Sequence, residues 1–128
     1  MTAPETAPQA WARCRPYIVA ALAQGGYTHT PEDVRRLVEA GAAHFWPGRR
    51  CAVVTEFWTA PRIKTLNFWL LGGELKELLR LRPGIEAWAA AQGCRRALGG
   101  GVHPGWARVL KSAGYAPGWT VFCKDLTP

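Results

Sequence analysis

Between residues 43 and 71 the chain carries three apolar, aromatic-rich runs, at 43–46, 51–58 and 63–71, parted by turn signals of only four or five residues. Pro47-Gly48 closes the first run and Ala60-Pro61 the second. Connections that short join antiparallel neighbours, because a parallel crossover needs a dozen residues or more. The centre of the chain is therefore predicted to be an antiparallel meander of three strands. Its second run, CAVVTEFW, is rich in β-branched and aromatic residues and reads as a strand buried on both faces.

On either side of the meander the apolar period is helical. Trp11, Tyr17, Ile18, Ala21 and Leu22 recur at three- and four-residue steps, and Gly25-Gly26 ends that helix. Thr30-Pro31-Glu32-Asp33 supplies a cap, a Pro for the first helical position and first-turn acids; Val34, Leu37 and Val38 form the apolar face. Beyond the meander, Leu75, Leu78, Ile85, Trp88 and Ala89 mark a long amphipathic helix, with a kink expected at Pro83-Gly84. A short strand is predicted at 95–98, a helix at 104–113 and a closing strand at 119–123. Residues 1–10 hold few bulky apolar groups and read as a flexible leader, leaving 11–128 as a single domain. With 128 residues and 48% of them apolar, one core is the expectation. The fold class is α+β: a central, mostly antiparallel mixed sheet flanked by helices.

The remaining composition excludes several classes. No stretch approaches the ~20 apolar residues of a membrane span, and the first residues lack the basic start and apolar run of a secretory signal. Sixteen Lys and Arg against nine Asp and Glu give a formal charge of +7, but the twelve Arg are dispersed from Arg13 to Arg108 without a block. That spacing favours a solvated surface over a binding stripe. Cys14, Cys51, Cys94 and Cys123 form no CxxC pair, so four reduced thiols and no metal site are expected.

The predicted order of two helices, meander, crossover helix, strand, helix and strand is similar to the Gcn5-related N-acetyltransferase (GNAT) fold. The stretch GWARVLKSAGY, residues 105–115, resembles that family's last helix and its Gly-aromatic ending. The helix entry THTPEDV at 28–34, followed by FWP at 45–47 and AVVTE at 52–56, resembles short acetyltransferase-like proteins of tailed bacteriophages. The resemblance covers roughly residues 12–125. It implies a GNAT-like domain, acetyl-CoA as cofactor, and a location in the bacterial host cytoplasm or on the virion.

In that family a glycine-rich loop at the start of the crossover helix holds the cofactor pyrophosphate on backbone N–H groups, which the positive helix end assists. The positions that match are Leu71, Gly72 and Gly73, followed at once by Glu74. This loop is compressed, and Glu74 sets a carboxylate where a pyrophosphate should lie. Read without the resemblance, the glycines make a tight turn and Glu74 complements the helix dipole.

Acyl transfer also needs a base and a donor for the leaving thiolate. The family's donor Tyr follows a Leu like Leu110, but Lys111 stands there and Tyr115 comes later. Glu56 interrupts an apolar strand and is the leading base candidate; a pairing with Arg62 or Lys64 would explain it equally. His103, beside Pro104, is the second candidate, against the plainer reading of a solvated turn His. Three functions follow. The first is a phage-type, acetyltransferase-like accessory or virion-associated protein with weak or no catalysis and a phage or host protein partner. The second is an active CoA-dependent N-acyltransferase. The third, a basic nucleic-acid-binding module, ranks last because the aromatics sit inside apolar runs.

Overall fold

The computed structural model describes residues 3–99, 104–119 and 121–127. Helix α1 spans Ala7–Gln24 and α2 Pro31–Glu39. Strands β1 (His44–Pro47), β2 (Cys51–Thr59) and β3 (Lys64–Gly73) follow, then α3 (Leu75–Ala91), β4 (Arg96–Leu98) and α4 (Pro104–Ser112). The sheet order is β1-β2-β3-β4; β1, β2 and β3 pair antiparallel, and β4 lies parallel to β3. The fold is α+β with a mixed, mostly antiparallel sheet. No helix among the described residues is long and apolar enough to cross a membrane.

Two expectations fail. The first helix begins at Ala7, inside the stretch read as a leader, because Thr6 and Gln9 form a reciprocal capping box ahead of the apolar period. Glu5 then pairs with Arg13 at 2.7 Å. Of the closing strand predicted at 119–123, the described residues 119 and 121–123 show no strand, and neither do the other described residues beyond α4. A strand needs a ladder to satisfy its backbone groups, and among the described residues no backbone hydrogen bond joins the stretch beyond Tyr115 to β4.

The core is double, one half on each face of the sheet. On one face α1 and α2 set Trp11, Ile18, Leu22 and Val34 against Ala52, Val54 and Leu70. On the other α3 sets Leu78, Ile85 and Ala89 against Val53, Leu66 and Phe68. A fully buried side chain such as Ile18 or Ile85 contributes about 1.5–3 kcal/mol relative to exposure. The pairing of β2 with β3 slips once: Val54 faces Leu70 but Thr55 faces Phe68, leaving Trp69 as a one-residue bulge. Trp69 and Leu70 thus both pack on the α1 side, and Leu71 returns to the α3 side. At the far edge the Thr55 hydroxyl lies 3.1 Å from His44 Nδ1 and accepts from Trp46 Nε1 at 3.0 Å. The His44 ring packs among Phe57 and Trp88.

Candidate functional site

The turn from β3 into α3 is fixed by close packing. Gly72 is buried opposite Ala52, and a Cβ on it would collide with the carbonyl oxygen of Tyr17 in α1. Gly73 holds φ +105° against the backbone of Arg50 and Cys51, a conformation that L side chains rarely adopt. The two glycines thus answer to steric demands of the fold. Beside them a groove of about 300 Å³ remains, bounded by Gln24 of α1, Leu75 of α3 and Trp106 of α4.

Two carboxylates dominate the start of α3. Glu74 lies 3.8 Å from both Arg50 and Arg80. Glu77 reaches into the β1–β2 turn, where it accepts the Arg50 backbone N–H at 2.8 Å and fills the space beside Gly48. The Cys51 thiol, ahead of the backbone N–H of Arg50, holds the Glu77 carboxyl below the usual range. The cations near this helix end are therefore partly matched by acids before any ligand arrives.

Among the described residues β3 and β4 pair at three positions, Thr65–Arg96 to Asn67–Leu98. The wedge between them is filled on the α3 side by Phe68, Leu78, Trp106 and Tyr115 and keeps about 30 Å³. Arg82 also lines it; its Nε is buried and has no hydrogen-bond partner among the described residues. Its Nη1 donates to both carboxylate oxygens of Glu86 at 2.8 Å, and Tyr115 Oη donates to the same carboxylate at 2.6 Å. Burial, reinforced by that bond and the Glu86 charge, raises the Tyr115 phenol above its ordinary value. The i,i+4 spacing of Arg82 and Glu86 is readable in the sequence. Their link to Tyr115 is not, because it spans 29 residues.

Glu56 occupies the opposite face and the opposite end of the strands. Its Oε1 accepts from Trp58 Nε1 and Asn67 Nδ2, each at 2.9 Å. The pairing with Lys64 does not occur, since Lys64 donates to the Gln92 carbonyl and covers the Phe57 ring. Asn67, the register partner of Glu56, precedes Gly72 by five residues, about 17 Å of extended strand. Glu56 and the glycine turn therefore form no single constellation. On the same face His29 packs edge-on against Trp69 at 4.7 Å, a contact no sequence spacing signals. His103 lies outside the described residues. All four cysteines are free, and among the described residues no cluster of three or more potential metal ligands occurs.

No family model matches the chain, and no curated protein matches it. Two solved structures do. The wild-type TTHA1254 of Thermus thermophilus is 14% identical with a TM-score of 0.64, and a single-substitution mutant of it is 13% identical with a TM-score of 0.66. Each alignment covers 100% of this chain and 98% of the other. The likeness is one of fold.

Proposed function

We propose that the chain is a GNAT-like domain of the phage type with a closed cofactor cleft, acting as an accessory or virion-associated protein through its surface, with weak or no catalysis. The observation that carries this reading is the filled wedge. The resemblance sets the pantetheine arm of acetyl-CoA against the edge of the 63–71 strand, and the 30 Å³ left beside that strand fits about one water molecule. The element order supports the resemblance: two helices, an antiparallel meander, a crossover helix, a parallel strand and a further helix. Glu74 and Glu77 support weak cofactor binding, since their charges oppose a pyrophosphate at the helix start. The active acyltransferase remains the second reading, favoured by the 300 Å³ groove beside Gly72 and Gly73.

Thermal unfolding with acetyl-CoA separates the two. Ligand at a hundredfold excess over its dissociation constant stabilises by about 2.7 kcal/mol. The closed cleft predicts little shift at millimolar acetyl-CoA and a larger one in Glu74→Gln, which removes one opposing charge. A large, saturable shift in the wild type, unchanged by Glu74→Gln, would overturn the reading and favour the acyltransferase.

A further inference from the structure

From Trp119 onward the described residues carry large apolar, strand-type side chains that the body of the molecule leaves exposed. Trp119 is 63% exposed, Val121 77%, Phe122 91% and Leu126 89%. Scattered apolar residues on a surface are ordinary; four large ones within eight positions mark an interaction site. Beside them lies an open sheet edge. Among the described residues β4 pairs only with β3, so its outer backbone groups face away from the sheet. Along it runs a groove of about 560 Å³, walled by Arg96, Ala97 and Leu98 on one side and Tyr115, Gly118 and Trp119 on the other. The chain passes close to its own β4 at Trp119. Yet among the described residues no backbone hydrogen bond joins the segment beyond Tyr115 to that strand.

We propose that two copies of this chain associate reciprocally, the C-terminal apolar residues of each lying along the free β4 edge of the other. The occupant is a second copy for two reasons. Each chain carries both halves of the contact, an edge and a strand-type segment that are unpaired among the described residues, which a two-fold axis makes self-complementary. The area is also sufficient: aromatic side chains bury about 150–250 Å² each, so covering Trp119, Val121, Phe122 and Leu126 on both copies removes on the order of 1,000 Å² from water. That approaches the size of a standard stable interface. Main-chain bonding to the edge then gives the segment the ladder it lacks alone. The inference is independent of how the cofactor cleft is read.

Sedimentation of the full chain from 1 to 100 µM tests it, together with the double variant Val121→Asp/Phe122→Asp. Because both side chains are exposed, the variant is expected to keep the wild-type circular dichroism spectrum, which is recorded alongside. The proposal expects a concentration-dependent dimer for the wild type and a monomer for the variant. It also expects isotope-filtered contacts between Phe122 of one copy and Ala97 or Leu98 of another. A wild-type monomer at 100 µM overturns it and leaves the segment to a different partner. A dimer that survives the double variant, or one in which Phe122 meets only its own chain's β4, overturns it as well.

Discussion

Gly72→Ala is the smallest change that tests how the two halves of the molecule are joined. The added methyl would meet the Tyr17 carbonyl oxygen, with the carbonyl carbon at 2.9 Å. The obstacle is helix backbone, so no side-chain rotation relieves it. α1 must lift from β3, loosening Ile18, Ala21 and Leu22 from Leu70. Overpacking a well-packed site costs about 1–3 kcal/mol, and a backbone obstacle places this site near 3 kcal/mol. For a domain of this length each kcal/mol lowers the melting temperature by about 3–4 °C, which makes the expected loss about 10 °C. Gly84→Ala is the control: it lies within α3, nothing stands within 4 Å of its Cβ position, and Ala there should stabilise by about 0.5–1 kcal/mol. Circular dichroism melts of both variants, with urea midpoints, provide the measurement. A Gly72→Ala protein melting within about 2 °C of wild type would refute the seating of α1 on the glycine turn.

Two further outcomes rest on ionisable groups. Burial, with a contribution from Lys64, holds the His44 imidazole below its ordinary value of 6.5, so the unfolded chain takes up this proton first as the pH falls. The stability is complete above about pH 6.5 and declines as the pH falls through the lower folded value. His44→Gln should flatten the melting-temperature profile between about pH 7 and 5, and parallel profiles would count against this account. Among the thiols, burial pushes Cys51 up to about 12, with Glu77 adding to it, and burial also raises Cys14, whereas Cys123 is exposed. A disulfide-exchange reagent at about pH 8 should modify Cys123 first and reach Cys14 and Cys51 only in denaturant. Peptide mapping that finds Cys51 labelled as fast as Cys123 would contradict the buried placement.

The meander was legible because short turns leave strands few alternatives. The runs at 43–46, 51–58 and 63–71 became His44–Pro47, Cys51–Thr59 and Lys64–Gly73. The bulge was not legible: Phe68, Trp69, Leu70 and Leu71 are all large and apolar, so the pattern shows no break where the register slips. The first helix turn was missed because its signal lies in Thr6 and Gln9, two polar residues, while the apolar period starts later. For the closing strand, Trp119, Val121 and Phe122 have strand composition, but composition does not say whether an edge lies within reach. At the site, the steric reason for Gly72 and Gly73 lies in Tyr17 and Arg50, which only the folded chain brings there. The role of Glu77 likewise depends on a turn 27 residues away.

The bulge at Trp69 also gives β3 one residue of slack. Elsewhere in a sheet, removing a residue sends every later side chain to the opposite face. In β3 the loss of one residue near the bulge would restore plain alternation, leaving Leu71 towards α3 and Gly72 against Tyr17. β2 carries no such reserve, because its residues pair one for one with β1 and the extra residue belongs to its partner. Length variation in this architecture is therefore absorbed in the third strand, while the second must keep its count.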